Sequence, residues 1–109
     1  MDGAIGSLEV LPEIVAAVGD SLTVLFDSGI RTGADVLKAL ALGAKAVLVG
    51  RPVIYNFAIG GKEGAKATLQ GLLADVDRSM AIVGAANVKQ CDHSILRHVQ
   101  YGGDLTSSL

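Results

Sequence analysis

Two short apolar runs decide what this chain can fold into. Leu22 to Phe26 (LTVLF) and Ala46 to Val49 (AVLV) are continuous rather than alternating, the pattern of strands buried on both faces. Between them lies one segment of helix length. Two strands joined by a single crossover helix must run parallel, and a parallel sheet is covered by helices on both faces. The first fifty residues therefore read helix, strand, helix, strand: an α/β chain.

The helices have recognisable ends. Leu8, Leu11, Val15 and Val18 fall near helical spacing, and Gly19 is placed to stop the segment. Pro12 has no N–H and suits a first turn, which predicts a start near Val10. In the crossover segment Thr32 is a capping residue, and Asp35 stands three positions later as the shorter capping-box acid. Val36, Leu37, Leu40 and Ala41 make its inner face, Lys38 points outward, and Gly43 closes it. After Pro52 an apolar stretch runs to Ile59, followed by Gly60-Gly61 and a long helix. Leu69, Leu72, Leu73, Val76, Met80 and Val83 form its stripe, opposite Lys62, Glu63, Lys66, Asp77 and Arg78. A further short helix is expected over Ser94 to Val99. Residues 1–100 read as one domain and 101–109 (YGGDLTSSL) as a polar tail, loose or lying on a partner chain.

Composition narrows the partners. A 109-residue chain with 50% hydrophobic residues can build one core, and its net charge of -2 gives no reason to expect nucleic acid. No apolar stretch has the roughly 18–20 residues that cross a bilayer, and the first residues lack a signal-peptide pattern. The single cysteine, Cys91, suits a reducing compartment. A soluble, intracellular, cytoplasmic chain is the expectation; the final Ser107-Ser108-Leu109 only faintly resembles a peroxisomal address.

The chemistry-bearing residues sit at the strand tips. Each strand is followed by a Gly-Arg pairing, in LFDSGIRTG and again in LVGRP. Ligands of parallel sheets bind at the carboxyl ends of the strands. Glycine lets Ser28-Gly29 turn backbone N–H groups toward a small anion, and a helix opening near Gly33 adds its own donors and dipole. Arg31 and Arg51 can each make a charge-assisted contact to phosphate, whereas Asp27 would repel one and instead orients the loop or meets a hydroxyl. A lone Gly-Arg pair is usually a turn with a solvated charge. Two copies on adjacent parallel strands point to phosphate binding, the place where (β/α)8 barrels commonly hold one.

With these residues the segment FDSGIRTGADVLKALALGAKAVLVGRP resembles the end of the barrel in the FMN-dependent α-hydroxy acid oxidases and dehydrogenases. That is the group of glycolate oxidase, lactate oxidase and, in closest likeness, lactate monooxygenase. The similarity runs from Asp2 to about Gly84 and includes the GGKEG turn and the LLADVDRSM helix. It implies the C-terminal portion of a (β/α)8 TIM barrel, comprising the last two parallel strands with their helices and a long C-terminal helix. It also implies FMN as cofactor, with Asp27, Ser28, Gly29, Ile30, Arg31, Gly50 and Arg51 at the flavin phosphate and ribityl chain. The family's S-N-H-G-[GA]-R-Q signature, which carries the catalytic histidine and the substrate-binding arginine, would end just before the position matched by Met1. The resemblance thus implies the last quarter of an oxidoreductase acting on small 2-hydroxy acids such as lactate, inactive alone. Two other readings are a non-catalytic half-barrel module that pairs with itself or with a longer homologue, for which the surplus apolar surface of the two strands is the motive, and a truncated gene model of an active enzyme.

Other groups read blandly. Cys91, Asp92, His93 and His98 lack metal-ligand spacing and are expected as a helix-surface cluster. Tyr55 is expected to pack, and Lys62-Glu63 to be a solvated helix start.

Overall fold

The computed structural model describes residues 2–100. It contains helix α1 (Ser7–Val18), strand β1 (Leu25–Phe26), helix α2 (Gly33–Ala41), strand β2 (Ala46–Val47) and helix α3 (Arg51–Val83). Two single turns of 3₁₀ helix follow, Val88–Gln90 and His93–Ile95. The strands pair in parallel, with Leu25 opposite Ala46 and Phe26 opposite Val47, as one crossover helix demands.

Both strands are shorter than their apolar runs. The Ser21 and Leu22 N–H groups still bond the Val18 carbonyl, so the end of α1 consumes the start of LTVLF. At the other end the Leu48 N–H donates to the Phe26 carbonyl at 2.8 Å, extending the ladder by one bond. Among the described residues each strand meets one neighbour. Leu25 and Leu48 accordingly remain 57% and 48% exposed, where a strand inside a closed barrel would be covered.

Helix α1 begins three residues before the expected Val10. The Gly6 carbonyl accepts from Glu9 and Val10, opening the helix early enough that Pro12 lies inside it. The missing bond is the one Pro12 would have made to the Leu8 carbonyl, close to the helix start. In α2 the capping box is complete: Thr32 Oγ1 accepts the Asp35 N–H, and Asp35 accepts the Thr32 N–H. Gly43, at φ 112°, turns the chain into β2 beneath Val15, whose side chain leaves no room for a β-carbon.

Helix α3 is two limbs joined at Gly60-Gly61, where the dihedrals leave the helical region. Gly61 at φ 60°, ψ -147° occupies backbone space essentially reserved for glycine. The second limb folds back so that Gly64 lies against the Asn56 carbonyl, with no space for a side chain. Asn56 donates through Nδ2 to the Pro52 carbonyl at 2.9 Å, one turn back in the first limb. Tyr55, expected to pack, is instead exposed.

The core joins Leu11, Phe26, Ile30, Val36, Ala39 and Ala44, flanked by Leu72 and Val76 of α3. A satellite of Leu37, Ala85 and Cys91 closes around Val76, Met80 and Ile95. The inner stripe of α3 is thus Leu72, Val76 and Met80, at four-residue steps, while Leu69, Leu73 and Val83 face outward. The expected helix over Ser94 to Val99 is replaced by the end of the His93–Ile95 3₁₀ turn and by non-helical chain from Leu96. Nor is Cys91 on a helix surface: it is buried, with its thiol 3.9 Å from the Asn87 carbonyl. The expected polar tail, 101–109, lies outside the described residues.

Candidate functional site at the strand tips

The segment Asp27 to Arg31 leaves β1 with an abrupt change of direction. Ser28 has φ 89° and Gly29 φ 78°, and Ser28 is the one non-glycine residue with positive φ among the described residues. Such a conformation costs a non-glycine residue about 1–3 kcal/mol. The Asp27 carboxylate supports it by accepting the Ser28 N–H at 2.8 Å. Asp27 therefore acts on its own loop, as its charge led us to expect. Around Gly29 there is open space on the side where a β-carbon would stand.

Ile30 and Arg31 then diverge. The Ile30 side chain is buried against Phe26 in the core, so only its backbone is available to a ligand. Arg31 is exposed. It lines a cleft of about 150 Å³ together with Val49 and Pro52, which flank the second tip, and with Thr68, Leu72 and Asp75 of α3. The fold thus brings the two Gly-Arg tips to one side of the molecule.

The two helix N-termini at this edge differ. At α2 the expected donors are largely taken, because carboxylates occupy the N–H groups that lead into the helix. Asp35 Oδ2 accepts the N–H groups of Arg31 and Thr32, both at 3.0 Å, and Asp75 Oδ2 accepts the Gly33 N–H at 2.6 Å. The N-terminus of α3 has no side-chain cap and no acid in its first turn. Its N-cap, Gly50, has open space where a side chain would stand, and Arg51 and Pro52 begin the helix. Positive dipole, bare backbone and arginine coincide there.

The Asp75 clamp was missed by reading the sequence. Its one signal was an acid at the edge of the α3 stripe, one position before Val76 and out of step with the outward-facing charges. Neither histidine lines a cleft at the tips. His93 belongs to the turn that Ile95 fixes to the satellite core, and Asp92 caps that turn by accepting from Ser94. Those hydrogen bonds, first of all the one from the Ser94 hydroxyl, hold the Asp92 carboxyl below its ordinary value.

Comparison with known proteins gives a consistent picture. The FMN-dependent dehydrogenase family matches residues 1–98. The chain is similar to an FMN-dependent alpha-hydroxy acid dehydrogenase of Penicillium citrinum, with 62% identity over 109 residues, 100% of this chain and 27% of the relative. It is 48% identical over 96 residues to an L-lactate oxidase of Nostoc sp., covering 88% of this chain and 26% of that protein. Among solved structures, a mandelate oxidase variant with a monooxide FMN adduct superposes with a TM-score of 0.79 and 48% identity. That superposition covers 84% of this chain and 29% of the oxidase. The expected architecture, part of a (β/α)8 barrel, is borne out. The chain spans about a quarter of the length of the curated relatives it matches.

Proposed function

The chain belongs to the FMN-dependent dehydrogenase family, and we propose that it supplies the phosphate end of an FMN site in an enzyme oxidising a small 2-hydroxy acid such as lactate. The observation that carries this is the uncapped N-terminus of α3, with Gly50 open, Arg51 at the first helical position and no acid in the first turn. A phosphate dianion fits that end by charge and by the Arg51 N–H and guanidinium, since Pro52 has no N–H and the Val53 N–H is bonded to the Gly50 carbonyl. Arg31 adds a second guanidinium, Gly29 leaves room for close approach, and Asp27, Ser28 and the Ile30 backbone shape the loop. FMN, when bound, supplies the acceptor for the electrons of the hydroxy acid, and oxygen is the proposed final acceptor.

The tip residues bind and orient, and neither histidine lines the clefts there. We therefore expect no lactate turnover from this chain by itself. Lactate added anaerobically to chain and FMN should leave the flavin oxidised, and bleaching of its blue absorption band would overturn that expectation. The binding part is tested by titrating the chain with FMN, with riboflavin as the phosphate-free control. Preference for FMN supports the reading, and equal affinity for the two removes it.

A second reading, a half-barrel association module, is favoured by the open strand faces of Leu25 and Leu48. Apolar surface of that kind promotes self-association or pairing with a longer homologue. Sedimentation of the chain as a discrete oligomer supports it, and a monodisperse monomer refutes it.

A further inference from the structure

The Asp75 carboxylate stands where an anion would meet the N-terminus of α2. It reaches across a sequence separation of 42 residues to accept the Gly33 N–H at 2.6 Å. Gly33 is buried directly against the backbone of Asp75 and Val76. With Asp35 taking the preceding two donors, the N–H groups of Arg31, Thr32 and Gly33 all end on carboxylates. Arg31 and Asp75 line the same cleft. One helix, α3, thus carries Arg51 at its start and Asp75 on its second limb.

We infer that Asp75 is a positioning residue for the flavin phosphate, an inference that rests on the phosphate reading above. Its carboxylate does not touch the phosphate. By holding Gly33 to α3, it fixes the loop of Arg31 relative to the helix whose first residue is Arg51. Arg31 is then tied to the second limb of α3, and through the Gly60-Gly61 bend to Arg51 on the first limb, so that both guanidiniums can close on one anion without reordering the loop. The same carboxylate takes the Gly33 donor of α2, which favours the start of α3 for the phosphate. Oriented donors held in place before binding lose less freedom when the ligand arrives.

The experiment compares FMN and riboflavin affinity in the wild-type chain, Asp75→Ala and Asp75→Asn. Removing the acceptor should weaken FMN binding about tenfold and leave riboflavin binding unchanged. Asp75→Asn keeps an acceptor oxygen without the charge and should lose only about two- to fivefold, because charge-assisted bonds are roughly twice as strong. It also serves where the alanine variant fails to fold. A purely structural role would weaken both flavins together, and that result overturns the inference, as does unchanged FMN preference in either variant. Failure of the phosphate reading is seen separately, as equal affinity of the wild-type chain for both flavins.

Discussion

Gly33 and Asp75 meet so closely that the Gly33 N–H donates to the Asp75 carboxylate at 2.6 Å while a β-carbon on Gly33 would overlap the Asp75 carbonyl. The contact couples the opening of α2 to the second limb of α3, the helix pair with the most extensive packing in the fold. Gly33→Ala forces these backbones apart. The expected loss is about 1–3 kcal/mol, the usual cost of overpacking, and it outweighs the gain of up to about 1 kcal/mol from alanine's helix propensity. Gly71 is the matched control, a helical glycine with open space where a β-carbon would stand. Gly71→Ala should stabilise by about 0.5–1 kcal/mol. Urea unfolding followed by helical circular dichroism checks both; a Gly33→Ala variant as stable as Gly71→Ala would contradict the packing described.

What could be read from the sequence was local, and what could not was a contact between distant segments. Thr32 and Asp35 announce their capping box because both partners lie within one turn. The parallel pairing of Leu25 with Ala46 follows from the single crossover segment between them. That Gly29, Arg31, Gly50 and Arg51 fall just past the two strands was legible for the same reason, since each tip follows directly on its apolar run. Asp75 was not, because its partner is 42 residues away and is a backbone group that carries no letter in the sequence. The length of the first strand was overstated because the end of α1 takes up Leu22, whose N–H bonds the Val18 carbonyl. Pro12 misled in the opposite direction, since loss of one hydrogen bond near a helix start does not prevent an earlier start.

The bend between the limbs of α3 depends on one residue of the Gly-Gly pair. Gly61 holds φ 60°, ψ -147°, while Gly60 at φ -129°, ψ 15° lies where other residues are tolerated. Gly61→Ala should therefore cost about 1–3 kcal/mol, and Gly60→Ala well under that. Gly64 guards the same bend from the other side, against the Asn56 carbonyl. Thermal midpoints of the two alanine variants check the asymmetry; equal shifts would mean that the bend does not have this geometry.

The turn at Asp92 should respond to acid. Its carboxyl titrates below the ordinary 3.8, chiefly through the Ser94 hydroxyl and then the Ser94 N–H. A carboxyl with a depressed folded-state pKa contributes stability that is fully present above the unfolded value and is lost as pH falls through the folded one. The His93–Ile95 turn should therefore be intact at neutral pH and loosen only below the ordinary carboxylate range. Ser94→Ala removes the leading cause and should move the Asp92 titration upward, as followed by carboxyl carbon-13 shifts. An unmoved titration would show that the hydroxyl does not hold the carboxylate.

Arg31 and Arg51 should contribute to FMN binding as guanidiniums rather than as charges alone. Arginine offers a planar fork that matches two phosphate oxygens, and lysine presents a point charge. Arg51→Lys and Arg31→Lys are each expected to weaken FMN binding measurably, and each alanine variant to weaken it about ten- to a hundredfold, as loss of a charged hydrogen bond implies. Riboflavin affinity should stay constant throughout. The effect should be larger for Arg51, which begins the uncapped helix and acts together with its dipole, than for Arg31, whose own N–H is taken by Asp35. Raising the salt concentration should weaken FMN binding to the wild-type chain and less so to the alanine variants, because exposed charges are screened. Flavin fluorescence titrations at two ionic strengths provide all of these values. If the arginine variants lose riboflavin and FMN alike, the two side chains support the fold of the tips and the phosphate is held elsewhere.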